Sequence, residues 1–240
     1  MGAVYLALGT GGRLVAVQEM NVDLANPDEK AAFEQEARLL HQLDHPNIVR
    51  VIDFFPENNR QYMVMEYIRG RTLLNILVEN SGHLPENYVL DWAVQLCGAL
   101  DYLHRQQPKI IYRDLKPGNV MQIYGANQLK LIDFGIARLH KPGQRRDTIV
   151  FGTPGYAPPE QYGRGQTDER SDVYALGATL HHLLTGHDPS IGMPFAFELV
   201  CRLKPQLSNR IEAVIAKAVA PQPAQRFASI MEMRTALSGN

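Results

Sequence analysis

The chain has 240 residues, of which 45% are hydrophobic, and its formal net charge is −1. A chain of this length and composition can bury a substantial core, as one large domain or as a two-lobed unit, so global disorder is excluded. The near-zero charge gives no reason to expect general attraction to nucleic acid or to an anionic membrane surface. Partners must therefore be inferred from specific sites.

The chain contains two cysteines, Cys97 and Cys201, which are too few for a disulfide framework and indicate a reducing compartment. No stretch of about eighteen apolar residues is present, and the N-terminus lacks a charged segment followed by an apolar run. We therefore expect a cytoplasmic chain without a membrane segment. The alternative that it is the cytoplasmic part of a longer protein stays open.

The first predicted elements are two short β-strands, Val4 to Leu8 and Leu14 to Met20, which are joined by a glycine-rich turn. Because side chains alternate along a strand, Ala16 and Gln18 share one face of the second strand. Both side chains are therefore expected to point to the same side of the sheet.

A helix is predicted next, from Asn26 to about Leu43. Asn26 suits the N-cap, Pro27 suits the first helical position, and Glu29 follows three residues after the cap. The apolar positions recur at helical spacing, and they are Phe33, Ala37, Leu40 and Leu43. Glu36 lies near the border of this apolar stripe.

The rest of the chain is predicted to be mainly helical. Two more strands, Ile48 to Phe55 and Gln61 to Glu66, complete a small antiparallel sheet. A long helix with one buried face follows from Glu86 to about Gln106. Further helices are predicted at 171–177, 181–184 and 211–219. This order, strands with one helix and then mostly helices, predicts an α+β fold.

Two acidic motifs carry the chemistry. The first reads Tyr-Arg-Asp-Leu-Lys-Pro-Gly-Asn at 112–119, and the second reads Asp-Phe-Gly at 133–135. Asp114 provides a group to orient a hydroxyl, while Asn119 and Asp133 provide two oxygen ligands for Mg²⁺. The pattern predicts a phosphoryl-transfer site.

These motifs resemble the catalytic loop and the metal-binding turn of eukaryotic-like Ser/Thr protein kinases, and the resemblance covers nearly the whole chain. It implies a bilobal α+β fold, with an N-lobe at 1–66 that is incomplete at its start, a hinge at 67–70 and a mainly helical C-lobe at 71–240. It also implies transfer of the γ-phosphate of ATP to Ser or Thr of protein substrates, with Mg²⁺ or Mn²⁺, and self-phosphorylation. We expect a bacterial origin from the compactness of the chain.

The resemblance assigns roles to individual residues. Asp114 would be the catalytic base, Lys116 would neutralise charge on the transferred group, and Asn119 and Asp133 would bind the metal. The positions implied to bind the nucleotide are Gly2, Val4, Ala16, Gln18, Glu36, Met65, Glu66, Ile68, Met121 and Asp133.

Gln18 is a departure from the family, because the pattern Val-Ala-Ile-Lys has lysine at this position. The beginning of the chain, Met1 to Tyr5, matches only the last glycine and the valine of the family's Gly-rich phosphate loop. No lysine lies between Met1 and Glu29, so another cation that could take over is hard to place. We therefore predict a folded kinase domain that transfers phosphate poorly. The substitution at position 18 is either natural or engineered.

The segment from 133 to 160 resembles the activation segment of the family. Thr148 is the predicted phosphorylation site, and Arg113, directly before Asp114, would bind the phosphate on this segment. Thr153 is predicted to contact Asp114 and to form the floor for the substrate hydroxyl.

Two further pairings follow from the resemblance. Arg226 is predicted to pair with Glu160 inside the large lobe. Tyr112 replaces the histidine that is more usual before Arg-Asp, and it is predicted to pack against Phe134 and to hydrogen-bond the backbone.

Two other functions remain open at this stage. The first is a pseudokinase that binds nucleotide or acts as a scaffold, which Gln18 and the missing glycines favour. The second is a small-molecule phosphotransferase of related fold. Pro158-Pro159-Glu160 and the helix containing Asp172 favour the protein-kinase branch, because they build a peptide-binding lobe.

Overall fold

The computed structural model describes residues 3–20, 27–58, 60–134, 138–139, 152–162 and 167–239. The chain separates into two compact units, Met1–Arg69 and Gly70–Asn240. Among the described residues, no helix combines the length and the apolar character that a membrane crossing requires.

The smaller unit is built on one sheet, whose strands are β1 (Val4–Leu8), β2 (Leu14–Met20), β3 (Val51–Glu57) and β4 (Arg60–Glu66). All its pairs are antiparallel, in the order β1-β2-β4-β3. The turn between the first two strands has Gly11 and Gly12 at φ 76° and 75°, a left-handed conformation that glycine adopts without steric cost. The predicted hairpin is confirmed.

The third strand begins later than predicted. It starts at Val51 rather than at Ile48, because a turn precedes it in which the Ile48 amide donates to the carbonyl of His45 over 3.1 Å. The imidazole of His45 also accepts a hydrogen bond from the backbone of Asn47. These local bonds take the backbone groups that a longer strand would have used.

A single helix, α1 (Pro27–His41), packs on this sheet. Its side chains Phe33, Ala37 and Leu40 are buried, as the helical spacing predicted. Phe33 meets Phe54 of β3 edge to face, with ring centroids 6.4 Å apart. The helix ends two residues before the predicted Leu43.

The larger unit contains six helices and five short strands among its described residues. The helices are α2 (Leu73–Glu79), α3 (Glu86–His104), α4 (Glu169–Thr185), α5 (Val200–Leu203), α6 (Asn209–Ala218) and α7 (Ile230–Ser238). The strands are β5 (Gly70–Thr72), β6 (Ile110–Ile111), β7 (Val120–Ile123), β8 (Leu129–Leu131) and β9 (Arg138–Leu139). One antiparallel sheet has the order β5-β7-β8, and β6 pairs with β9.

Helix α4 forms the centre of the larger unit. Every residue from Ser171 to Thr185 is buried, and the helix packs against α3, α6 and α7. The side chain of Asp168 caps its first turn, and Gly186 ends it at φ 78°. The helical segments predicted at 171–177 and 181–184 are therefore two parts of one central helix.

Candidate active site

The backbone in front of Asp114 is held by a carboxylate from the central helix. Asp172 is fully buried, and its two oxygens accept hydrogen bonds from the amides of Tyr112, over 2.9 Å, and Arg113, over 2.8 Å. His104 of α3 lies 2.8 Å from the same carboxylate. Arg113 has φ 69°, a strained conformation for this residue type, which the bonds to Asp172 stabilise.

The side chain of Asp114 lies in a closed set of hydrogen bonds. Thr153 donates its hydroxyl to one carboxylate oxygen over 2.7 Å, and the ammonium of Lys116 lies 2.9 Å from the other. Lys116 also donates to the hydroxyl of Thr153 over 2.6 Å, which closes what we call the Asp114–Lys116–Thr153 triangle. The predicted contact between Thr153 and Asp114 is confirmed, and only 5% of Asp114 is exposed.

Asn119 is oriented by the same aspartate. Its amide nitrogen donates to the Asp114 side chain over 2.7 Å and to the Asp114 carbonyl over 2.9 Å. Because the nitrogen is used in this way, the carboxamide oxygen is the atom that can act as a metal ligand. The carbonyl of Asn119 accepts the amide of Ile132 over 2.9 Å, which brings the next residue, Asp133, close to Asn119.

Asp133 lies in the left-handed region, with φ 65°. A carboxylate and an amide oxygen are suitable ligands for a small hard cation such as Mg²⁺, whose other positions are usually filled by water and substrate phosphates. The part of the chain that the structure describes contains no group of three or more His, Cys, Asp or Glu side chains that could hold a metal ion. The chemistry of the Asn119 and Asp133 oxygens fits a hard divalent cation.

Tyr112 occupies the floor of the loop. Its ring is fully buried and meets Phe134 edge to face at 5.4 Å, and its hydroxyl donates to the carbonyl of Ile132. Burial raises the pKa of Tyr112, and the nearby charges of Asp133 and Asp114 raise it further, so the hydroxyl stays protonated. The predicted packing and backbone bond of Tyr112 are confirmed.

Below the loop, Arg226 and Glu160 form a buried bidentate ion pair with distances of 2.6 and 2.9 Å. Ser171 of α4 donates to the same carboxylate, and the guanidinium lies 4.9 Å from the ring centroid of Tyr174. The predicted pairing of Arg226 with Glu160 is confirmed. It ties residues 159–162 to the central helix.

In the smaller unit, the strand register places four predicted nucleotide-binding positions on one sheet face. Val4 lies opposite Gln18 on the neighbouring strand, and Ala16 lies opposite Met65. Gln18 and Ala16 share a face because they are two residues apart. Gln18 and Met65 are each only 5% exposed, whereas Val4 is 61% exposed.

The other positions predicted for the smaller unit lie near the same elements. Glu36 is half-buried on α1, and Ile68 is buried. Glu66 ends β4, where its amide donates to the carbonyl of Arg50 over 3.0 Å and its carboxylate accepts the amide of Arg50 over 2.9 Å. Gly2 lies outside the described residues.

In the larger unit, Met121 lies in β7, opposite Lys130 of β8 and Thr72 of β5. Arg113 is only 3% exposed, and its carbonyl accepts a hydrogen bond from Gln161. Thr148, the predicted phosphorylation site, lies outside the described residues.

The sequence analysis missed how the loop is supported. Asp172 lies about 60 positions from the two amides it accepts, and His104 and Gln161 are also distant in sequence from the groups they contact. No spacing pattern connects such residues. The available signal was Asp172, an aspartate directly before the apolar run that begins at Val173. A carboxylate buried at such a position must have a partner.

The loop geometry, the metal-ligand pair and the α+β architecture together define a phosphotransferase of the protein-kinase type. Residues 1–233 match the family model described as "Protein kinase domain", and the chain therefore belongs to the protein kinase family. The sequence-based assignment of family and fold class is confirmed.

The chain is similar to bacterial Ser/Thr kinases. It is 36% identical over 253 residues to a probable serine/threonine-protein kinase of Streptomyces coelicolor, an alignment that covers 98% of this chain and 37% of the relative. It is 38% identical over 244 residues to serine/threonine-protein kinase PknB of Mycolicibacterium smegmatis, covering 94% and 38%. The chain thus spans little more than a third of the length of these relatives.

Among solved structures, the chain resembles the crystal structure of the Mycobacterium tuberculosis PknI kinase domain. The TM-score is 0.81 at 29% sequence identity, and the match covers 100% of this chain and 91% of the other. The match therefore includes residues of both units.

Proposed function

We propose that this chain is a Ser/Thr protein kinase domain, which transfers the γ-phosphate of ATP to hydroxyl groups of protein substrates, and that Gln18 lowers its rate. The observation that carries the proposal is the Asp114–Lys116–Thr153 triangle. It holds a carboxylate, a cation and a hydroxyl within 2.9 Å of one another at one end of a metal-ligand pair. The family of the chain implies ATP and a divalent metal.

In this mechanism Asp114 orients the acceptor hydroxyl and receives its proton late in the transfer. Thr153 occupies one carboxylate oxygen and thereby fixes the carboxyl plane, forming the floor on which the acceptor hydroxyl rests. Lys116 lies beside the same carboxylate, where its ammonium group stabilises negative charge on the transferred group. Preorganised groups of this kind need no rearrangement during the reaction.

Asn119 and Asp133 would hold the metal, through the carboxamide oxygen and the carboxylate. When bound there, Mg²⁺ or Mn²⁺ would neutralise charge on the phosphates and stabilise the leaving oxygen. The chain contributes the fixed orientation of Asn119, which Asp114 sets by accepting two hydrogen bonds from its amide nitrogen.

We assign nucleotide binding to a face of the smaller unit and to the residues that follow it. Val4, Ala16 and Met121 would contact the adenine ring, and backbone groups of Glu66 and Ile68 would hydrogen-bond it. Met65 would control access to the back of the pocket, and 67–70 would form the hinge. Gly2 would complete the phosphate loop. The register of β1, β2 and β4 supports the shared orientation of Val4, Ala16 and Met65.

Gln18 is the residue that limits the proposed reaction. Its carboxamide is neutral, so position 18 cannot supply the positive charge of a lysine to the phosphates. It also cannot form the salt bridge with Glu36 that the resemblance implies for a lysine at this position. Loss of one preorganised donor to the transition state costs roughly 10²–10³ in rate. The buried position of Gln18 supports a strong effect, because electrostatic interactions are strengthened away from water.

A second candidate function is favoured by the same residue. A pseudokinase would keep the fold and the catalytic loop while it acts through nucleotide binding or as a scaffold. In either case, we propose that phosphate on Thr148 would be bound by charge-assisted hydrogen bonds, with Arg113 as a partner.

Transfer of labelled γ-phosphate from ATP with Mg²⁺ tests the proposal. Three proteins are compared, namely the chain itself, Gln18→Lys, and Gln18→Lys with Asp114→Asn, each with itself and a generic basic protein as acceptor. We expect weak transfer by the chain, a gain of roughly 10²–10³ with lysine, and loss of that gain with Asp114→Asn. Full turnover by the unaltered chain would refute the limiting role of Gln18, and no transfer by any of them would favour the pseudokinase.

A peptide array distinguishes a protein substrate from a small molecule. Phosphorylated Ser or Thr peptides, with mass-spectrometric identification of the modified residue, would support a protein kinase. Transfer to small alcohols alone would support the related phosphotransferases.

A further inference from the structure

A buried tyrosine and a buried histidine meet beneath the turn that carries Thr153. The hydroxyl of Tyr156 lies 2.5 Å from Nδ1 of His182, and the ring centroids are 6.1 Å apart. Tyr156 is 6% exposed and His182, on the central helix α4, is 4% exposed. This contact is the side-chain anchor of the turn on the helix.

The turn itself is stiff, so that the position of Tyr156 determines that of Thr153. The amides of Tyr156 and Ala157 both donate to the carbonyl of Thr153, over 3.1 and 3.0 Å. Within this turn Gly155 has φ 84°. A side chain at this position would clash with the backbone of Pro189, which lies 2.1 Å from the ideal Cβ position. The turn is therefore packed against residues 188–190 as well as against α4.

The groups that face His182 favour one arrangement of protons. Burial raises the pKa of Tyr156, and the adjacent Asp188 carboxylate raises it further. Burial lowers the pKa of His182, and positive charge on His187 would lower it as well, while Asp188 opposes this. At neutral pH both groups are therefore uncharged, so the tyrosine can donate its proton to Nδ1 of His182, and the Asp188 carboxylate is a second acceptor for the same hydroxyl.

Asp188 and His181 complete the surroundings. Burial alone would raise the pKa of Asp188, but hydrogen bonds from the backbone and hydroxyl of Ser190, at 2.8 and 2.7 Å, keep it below its ordinary value. Burial also lowers the pKa of His181, whose Nε2 lies 2.9 Å from the carbonyl of Glu198. Asp188 is thus ionised and both histidines of α4 are neutral at pH 7.

We propose that His182 is a positioning residue for the acceptor end of the site, which holds Tyr156 and through it the turn with Thr153. The inference rests on the proposed function in one respect only, namely that Thr153 serves phosphoryl transfer. Protonation of His182 removes the acceptor lone pair of Nδ1. The turn should therefore stay anchored while His182 is neutral, and it should loosen as the pH falls through the pKa of His182, which lies below the ordinary histidine value of 6.5.

The direction of this pH effect follows from the linkage between proton binding and folding. A histidine whose pKa is lower in the folded state stabilises that state at pH values above its unfolded pKa, and this stability is lost as the pH falls. Acid should thus loosen the turn at residues 153–157 before the chain as a whole unfolds. Tyrosine removal should produce the same loosening at any pH.

The first measurement does not require activity. Histidine ring signals are titrated by NMR in the unaltered chain and in Tyr156→Phe, and amide exchange of 153–157 is followed at pH 7.5 and 5.5. We expect a pKa for His182 below 6.5 that rises in Tyr156→Phe. We also expect amide protection factors, which are corrected for the intrinsic pH dependence of exchange, to be roughly two- to tenfold smaller in Tyr156→Phe and at the lower pH. An unchanged His182 titration with unchanged exchange would overturn the inference.

Two variants separate positioning from simple packing. His182→Asn keeps an acceptor near Nδ1 that cannot be protonated, whereas His182→Leu removes it. We expect His182→Asn to keep slow exchange at both pH values and His182→Leu to lose it at both. If His182→Leu does not fold, Tyr156→Phe and His182→Asn still decide the question, and acid-sensitive exchange in His182→Asn would contradict it.

Activity is then measured in the Gln18→Lys protein as a pH profile. We expect His182→Asn to retain the neutral rate and to lose the part of the acid decline that His182 causes. A positive NMR result without any phosphate transfer would leave the positioning of the turn intact and refute the proposed function. Robust transfer with an unchanged His182 titration would do the reverse.

Discussion

The loop around Asp114 in the larger unit and the sheet face of Val4, Ala16, Gln18 and Met65 in the smaller unit, which we call the strand face, differ in their charged groups. Around Asp114, the carboxylate, the ammonium of Lys116 and the hydroxyl of Thr153 are mutually bonded. On the strand face, Gln18 lies at the position where the family pattern has its lysine, and the carboxamide carries no charge.

This difference shows that the residues needed to form a fold are not all the residues needed for its chemistry. Gln18 is 5% exposed and lies opposite Met63, so a glutamine satisfies the size and the strand pairing of the position. The backbone therefore needs no lysine there, whereas under the proposed function a cation at this position would stabilise the transferred phosphoryl group. A chain can keep its architecture while the rate falls.

The largest expected effect concerns the buried ion pair of Arg226 and Glu160 in the larger unit. Arg226→Ala leaves the buried carboxylate of Glu160 without its ion-pair partner, and such losses cost about 3–5 kcal/mol of unfolding free energy. Urea unfolding of the two proteins measures this directly. The result would show that the larger unit depends on a few buried charges.

Arg202→Ala is the matched control, because its pair with Glu198 is exposed. Exposed pairs contribute about 0–1 kcal/mol, so we expect little change. If both variants lost the same stability, burial would not be what makes the Arg226 pair important.

The sequence alone predicted the parts of this comparison that depend on short spacings. The motif at 112–119 and the strand alternation at 14–20 identified Asp114, Asn119 and Gln18, and the helical periodicity identified α1 and α3. The ends of α1 and α3 and the start of β3 differ from the predicted ones by two or three residues. Local hydrogen bonds, such as that between Ile48 and His45 before β3, decide where an element begins or stops.

Other parts could not be predicted, because they join distant residues. Tyr112 and Asp172 are 60 positions apart, and Tyr156 and His182 are 26 apart. The short elements β5 and α2 were also missed, since three or seven residues carry too little periodicity to be recognised. Only the folded chain brings such groups together.

The next effect sharpens the contribution of the triangle. In the Gln18→Lys protein, Thr153→Val removes a donor to the carboxylate of Asp114 and an acceptor for Lys116. Hydrogen bonds to charged groups contribute about 1.5–3 kcal/mol, so we expect transfer to fall roughly ten- to a hundredfold. Steady-state phosphorylation of one peptide measures it.

Thr153→Ser is the control that restores the hydroxyl without the methyl group. It should retain most of the rate of the Gln18→Lys parent. A serine variant as slow as the valine variant would indicate that the methyl group, and not the hydroxyl, is what matters at this position.

A smaller effect tests the strand face. If Glu36 pairs with a lysine restored at position 18, then Glu36→Gln should reduce the activity of Gln18→Lys but barely affect the unaltered chain. The coupling in this double-mutant cycle should be about 0.5–3 kcal/mol. It is obtained from four phosphorylation rates measured under the same conditions.

Additive effects of the two substitutions would mean that Glu36 acts independently of residue 18. In that case the missing lysine would matter through the phosphates alone. A coupling within the stated range would mean that the substitution at position 18 also removes an anchor of α1.

The smallest effect concerns Tyr112, which connects the loop at 112–119 to residues 132–134. Tyr112→Phe keeps the edge contact with Phe134 but removes the donor to the carbonyl of Ile132. We expect a loss of about 1 kcal/mol in unfolding free energy, measured in urea, with transfer in the Gln18→Lys protein reduced less than tenfold. Tyr112→His offers the family's usual ring as the control.

A much larger loss of transfer in Tyr112→Phe, at unchanged stability, would mean that the hydroxyl orients Asp133 and does more than pack beneath the loop. The groups that act together would then include Tyr112 as well as Asp114 and the proposed metal ligands Asn119 and Asp133. The larger unit would thus differ more strongly from the strand face, where Gln18 carries no charge.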